Sequence, residues 1–172
     1  MMRGLVLFIL IGSHIAWGYD SFRIGWSGAS VSEIRGEYGS KSISGVLFGI
    51  ERGGLWDSWL VAGYLEGNVW PLNAMNDGGY YSIGIGGKVG YRFTHLLPYV
   101  RVGAEYMSLH HTGTNATQAN IGGAVAEIGM SVDIVDGFGL GIGVKSSVPD
   151  FYRESGVYRL FNVMVYFVYY GF

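Results

Sequence analysis

The stretch Tyr80 to Phe93, YYSIGIGGKVGYRF, decides the fold. One face carries Tyr81, Ile83, Ile85, Gly87, Val89, Tyr91 and Phe93; the other carries Ser82, Gly84, Gly86, Lys88, Gly90 and Arg92. Strict alternation marks an extended strand, because successive side chains point to opposite faces. A helix would scatter Lys88 and Arg92 among glycines and isoleucines. The run is also far longer than the five or six residues of an ordinary strand. Tyr81 and Tyr91 stand ten residues apart, about 33 Å along a strand, or about 25 Å in projection if it tilts by about 40°. That is the height of the apolar band of a membrane-spanning barrel, with an aromatic ring at each interface.

Further segments repeat the pattern. Phe22, Ile24 and Trp26 alternate with Arg23, Gly25 and Ser27, and Val46, Phe48 and Ile50 with Leu47 and Gly49. Trp59 to Val69 reads as a strand of undecided facing. Val100, Val102, Ala104 and Tyr106 oppose Arg101, Gly103, Glu105 and Met107. Ala124, Ala126, Ile128, Met130 and Val132 oppose Gly123, Val125, Glu127 and Gly129. Phe138, Leu140, Ile142 and Val144 oppose Gly139, Gly141, Gly143 and Lys145, and Val157 to Phe172 follows. Eight strands result, predicting an all-β, antiparallel up-and-down transmembrane barrel. Short connections are expected at 52–57, 94–98 and 133–137, and longer, outward-facing loops at 28–41, 70–79, 110–119 and 146–156. Val135-Asp136-Gly137 fits a three-residue hairpin loop with glycine in the left-handed position. Pairing Ile134 with Phe138 then sets Ile128 opposite Val144 and Glu127 opposite Lys145.

Composition agrees. Glycine supplies 30 of 172 residues, charged residues are 14 %, aromatics 16 %, prolines 3 and cysteines none, and mean hydropathy is +0.28. Disulfide scaffolds and cysteine-built zinc sites are excluded. A net charge of −2 provides no basic excess for nucleic acid. The chain is too apolar for disorder. Residues 1–18 read as an export signal: Arg3, an apolar stretch from Leu5 to Ile15, and small residues at Ala16 and Gly18. Cleavage is expected after Gly18, leaving 19–172 as the barrel domain. The apolar stretch is too short to span a bilayer as a helix, which needs about 20 residues.

Most glycines fall on the presumed inner face, beside Arg23, Lys88, Arg92, Arg101, Glu105, Glu127 and Lys145. Eight strands leave a bore just wide enough for side chains. Long charged residues there need small neighbours, and isolated buried charges are costly, so a paired structural network is expected. Glu105 and Glu127 should each contact two or more basic residues.

The export signal, the eight alternating strands and the ending Tyr166-x-Val168-x-Tyr170-x-Phe172 resemble the small outer-membrane β-barrels of Gram-negative bacteria, the OmpX, OmpA-barrel and Opa-like proteins. The resemblance implies residence in the outer membrane. It also implies that Tyr166, Val168, Tyr170 and Phe172 form an outward-facing signature offered to the outer-membrane assembly machinery. Implied partners are outer-membrane lipid and lipopolysaccharide, with an extracellular partner for the loops. A monomer is expected.

Some barrels of this kind are lipid A-modifying enzymes, and the deacylases carry a pattern close to His-x-Ser-Asn-Ala. Here His111 is followed by Thr112, Gly113, Thr114, Asn115 and Ala116. Threonine stands for serine and the histidine lies one residue too far away. A deacylase-like centre at His111 and Thr114 is therefore the secondary reading, and a narrow pore the third. Gly84-x-Gly86-Gly87 and Gly139-x-Gly141-x-Gly143 lie on strands with no helix after them, so nucleotide binding is not expected. His95, His110 and His111 fall at opposite rims, and no metal or cofactor is expected. Trp56, Trp59 and Trp70 are assigned to interface belts. The leading reading is a non-enzymatic barrel with a structural or surface-interaction role.

Overall fold

The computed structural model describes residues 18–33, 41–71, 79–110, 118–149 and 158–171. Eight antiparallel strands follow one another around a closed barrel: β1 (Tyr19–Glu33), β2 (Lys41–Trp56), β3 (Trp59–Pro71), β4 (Gly79–Tyr91), β5 (Leu96–His110), β6 (Gln118–Val135), β7 (Phe138–Pro149) and β8 (Tyr158–Gly171). Closure pairs β1 with β8, so no strand edge is left exposed.

The pairing defines the barrel's dimensions. Starting at Tyr19, paired residues run through Gly53, Ala62, Lys88, Arg101, Glu127, Lys145 and Asn162, and return to β1 at Ala29. The circuit returns ten residues above its start. With standard strand spacings, that stagger gives a tilt of about 40° and a radius of about 8 Å. Four of the eight residues on this circuit are charged and point inward, so the row is a ramp of charge wound up the bore.

Strands run past the ends expected from hydropathy. Residues 28–33 continue β1, and β7 continues to Pro149. Above the apolar band the alternation inverts: Gly28 and Ser30, paired to Ser44 and Ser42, face outward, while Ala29 and its partner Ile43 are buried inside. At the other rim, residues 52–56 and 133–135 are strand rather than turn. The Asp57-Ser58 turn there closes on Trp56 and Trp59. Phe93 and Leu96 exchange two backbone hydrogen bonds of 2.7 Å around Thr94-His95.

The last tight turn differs in detail from the expected one. Val135, not Ile134, pairs with Phe138, and the register shifts between Asp133 and Val135. Ile134 is the extra residue of a bulge, and Gly137 takes the left-handed conformation at φ +80°. Below the bulge, Ile128 faces Val144 and Glu127 faces Lys145.

The outer wall is apolar: Phe22, Ile24, Ile83, Val100, Ile128 and Ile142 are all exposed there. Trp56 and Trp59 lie on it at the rim of the short turns. The facing of β3, open in the sequence, resolves with Val61, Leu65 and Val69 outward and Leu60, Tyr64, Glu66, Asn68 and Trp70 inward. Trp70 is therefore not a belt residue. It is fully buried and donates its indole N–H to Ser27 Oγ at 2.9 Å.

Candidate functional site

Among the described residues the bore holds four carboxylates, Glu51, Glu66, Glu105 and Glu127, and four cations, Arg23, Lys88, Arg101 and Lys145, all at most 4 % exposed. The set is neutral. Seven strands contribute, β1 to β7, and β8 adds Tyr166.

Its centre is a ring of two arginines and two glutamates. Arg23 contacts Glu127 at 3.0 Å and is also paired with Glu66. Arg101 meets Glu66 at 2.9 Å, Glu127 at 3.0 Å and Glu51 at 2.9 Å. From this ring the network extends toward both ends. Toward the short turns, Lys88 holds Glu51 at 2.7 Å, and the Tyr19 and Ser21 hydroxyls donate to the same carboxylate. Toward the longer connections, Lys145 bridges Glu66 and Glu105 at 3.0 and 2.6 Å. Ser82 and Ser147 donate to Glu105, and Asn68 donates to Glu66. Above them, Ser27 donates to Asn162.

Tyrosines pack between the charges. The Arg101 guanidinium lies 3.8 Å from the centre of the Tyr64 ring, and the Lys88 ammonium 4.3 Å from that of Tyr99. Tyr99 donates to Glu127 at 2.6 Å and shares a hydrogen bond of 2.7 Å with Tyr166. These rings explain much of the glycine. A Cβ at Gly141 would enter the Tyr166 ring, and one at Gly129 would strike the Tyr99 ring and hydroxyl. Gly86 and Gly103 receive Tyr64 in the same way. Inner glycines therefore make room for tyrosines at least as much as for charges; Gly49 beside Arg23 is of the second kind.

The expected charge set changes at several positions. Arg23, Lys88, Arg101, Glu105, Glu127 and Lys145 meet in the bore. Arg92 does not: it sits at the short-turn mouth, 2.9 Å from Asp133, with 36 % of its side chain exposed. Alternation assigned its face correctly but carries no information on depth. Glu127 contacts two basic residues, whereas Glu105 contacts one, Lys145, and fills its remaining sites with serine hydroxyls. Glu51 and Glu66 escaped the sequence reading because β2 and β3 carry apolar residues on both faces. Charge balance could have revealed them, since five cations against two acids is an untenable buried set.

The β8 signature is also reversed. Tyr166, Val168 and Tyr170 point into the bore at 3 to 4 % exposure, and Phe167 and Tyr169 face outward. Both faces of this strand are apolar, so pairing decides: Tyr166 lies opposite Gly25 and Gly141, whose missing side chains admit its ring. Phe172, His111 and Thr114 lie outside the described residues, as do 1–17 and the central parts of the four longer connections. Glu127 is held by Arg23, Arg101 and Tyr99 nine residues along β6 from Gln118, about 30 Å along the strand.

No family model and no curated protein matches the chain by sequence. Solved structures do match its fold. Ail, the attachment invasion locus protein of Yersinia pestis, aligns over 89 % of this chain and 98 % of its own, with a TM-score of 0.70 at 14 % identity. Neisserial surface protein A aligns over 88 % and 96 %, with a TM-score of 0.63 at 14 % identity. The outer membrane protein OprG of Pseudomonas aeruginosa aligns over 89 % and 95 %, with a TM-score of 0.55 at 12 % identity. The chain has the fold of the small eight-stranded outer-membrane β-barrels of Gram-negative bacteria.

Proposed function

We propose that the chain is a non-enzymatic outer-membrane protein, exported by residues 1–18, whose barrel is a rigid support for the four longer connections. The observation that carries this reading is the neutral, cross-paired network of the bore, in which each buried charge has at least one oppositely charged partner. Every charge there is committed to a structural partner, which suits a plug and frame. Outer-membrane lipid and lipopolysaccharide contact the apolar wall, the outer-membrane assembly machinery inserts it, and a surface partner meets the connections at 34–40, 72–78, 111–117 and 150–157. Heat-modifiable gel migration with membrane fractionation tests the placement: a closed, outer-membrane form is expected, and a fully soluble periplasmic product would overturn it. A deletion strain should keep its lipid A profile, and His111→Ala should leave that profile unchanged. A deacylated species lost in that variant would install the enzyme reading instead. In planar bilayers the wild-type barrel is expected to show no steady conductance.

A further inference from the structure

Among the described residues, two adjoining charged side chains interrupt the apolar outer wall near the short-turn rim. Asp20 on β1 and Arg52 on β2 are directly paired across the ladder and point outward. Their ion pair spans 3.5 Å, and the side chains keep 64 % and 69 % exposure. Arg52 lies four residues up β2 from Trp56 at the short-turn rim, about 13 Å along the strand. It therefore stands within the edge of the apolar band, with its head able to reach the headgroup level. Ionisable side chains on a lipid-facing wall are costly, and they mark a binding or transport role with a nameable partner.

The same row continues into a trough. Arg52 pairs with Gly63, and Gly63 with Gly87, both outward-facing. A Cβ at Gly63 would meet nothing nearer than 3.9 Å, and one at Gly87 nothing within 4 Å. Two other outward glycines are covered, Gly67 by the Phe48 ring and Gly28 by the Trp26 ring, whereas Gly171, paired with Asp20, and Gly122 on β6 are open as well. Val61 and Leu65 on β3, with Ile85 and Val89 on β4, wall the open pair. Because rows climb from β1 toward β5, the trough rises from the ion pair toward the middle of the apolar band.

We infer that this is a phospholipid site in the leaflet at the short-turn rim, selective for a headgroup carrying both a phosphate and a primary ammonium. The guanidinium of Arg52 receives the phosphate. The carboxylate of Asp20 accepts from the ammonium, and one acyl chain lies along Gly63 and Gly87. An anionic glycerol headgroup would give its phosphate to Arg52 but bring no ammonium to Asp20, leaving that carboxylate beside an anion. A choline headgroup has no N–H to donate. The inference rests on the membrane placement proposed above.

Native mass spectrometry of the whole barrel, released from micelles doped with phosphatidylethanolamine, phosphatidylglycerol or phosphatidylcholine of equal chain length, tests it. Each variant is first checked for heat-modifiable migration. One ethanolamine lipid should be retained about tenfold more than the other two, as a charge-assisted hydrogen bond warrants. Arg52→Gln should lower retention of all three about tenfold, and Asp20→Asn should abolish the preference over phosphatidylcholine. Gly63→Leu with Gly87→Leu, where side chains have room, should weaken retention but keep the headgroup order. Equal retention of the three lipids, unchanged retention in Arg52→Gln, or lipid-free dimers in place of a lipid adduct would overturn the site while leaving the membrane reading intact. Absence of the heat-modifiable shift in the wild type would remove both.

Discussion

Two ion-pair regions with nearly the same contact distances sit in different surroundings. At the barrel's centre, Arg101 lies 2.9 Å from Glu66 and 3.0 Å from Glu127, with all three side chains sealed from solvent. At the short-turn mouth, Arg92 lies 2.9 Å from Asp133, with side-chain exposures of 36 % and 20 %. Distance alone would rank them equal. Burial separates them, because a sealed charge that loses its partner cannot recover water, whereas a rim charge can. Strength at the centre is thus mostly the cost of interruption. Replacing whole pairs by apolar groups of similar volume would cost far less.

That contrast can be broken in measurable steps. Glu127→Ala leaves Arg23 and Arg101 short of a carboxylate and Tyr99 short of an acceptor. It should destabilise the barrel by about 3–5 kcal/mol, read as a lower urea midpoint for unfolding from phospholipid vesicles. A loss under about 1 kcal/mol would show that water enters the bore and that centre and mouth are alike. Next comes Gly141→Leu, which drives a side chain into the Tyr166 ring. It should cost about 1–3 kcal/mol through overpacking without touching any charge, so it separates the contribution of the tyrosines from that of the ions. Arg92→Ala at the mouth should cost at most about 1 kcal/mol, with salt reducing even that. The smallest change should be a gain. Thr94 adopts φ +50° in the short turn before β5, a conformation that penalises a β-branched residue. Thr94→Gly should stabilise by up to about 1 kcal/mol in the same titration, and a lower midpoint would mean that the Thr94 side chain holds the turn in a way its backbone angle does not suggest.

The same two regions show what was legible beforehand. On β4 and β5, charges and glycines alternate with aliphatics, so Lys88, Arg101 and Glu105 could be placed inside from the sequence alone. On β2, β3 and β8 the bore is lined by Leu47, Leu60, Trp70 and Tyr166 as well, and polarity no longer distinguishes in from out. For that reason the alternation hides Glu51 and Glu66, points Trp70 to the wrong surface and reverses the terminal tyrosines. What resolves these strands is their neighbours: a one-residue slip would flip every side chain, and rings such as Tyr166 settle where glycines stand opposite. Depth was a separate omission. Arg92 faces the bore like Lys88, four residues away, but lies beyond its sealed section. The Glu127–Lys145 pairing follows from the expected closing pair, Ile134 with Phe138; the observed pair, Val135 with Phe138, would shift it by one residue, and the bulge at Ile134 restores it. The bulge could not be read in advance, since that residue's hydropathy suits either count.

The equal numbers of acids and bases in the bore bear on how such a protein can change over generations. On the outer wall one aliphatic can replace another in a single step with little consequence, so that surface is free to wander. Inside, the loss of Lys145 alone would leave Glu105 stranded, and a tolerated history has to move two residues together or pass through a weakened ancestor. Homologous barrels should therefore share a conserved sum, zero, more faithfully than they share the residues that compose it. Sequencing of suppressors selected against Lys145→Met would reveal this directly, as second-site losses of Glu66 or Glu105.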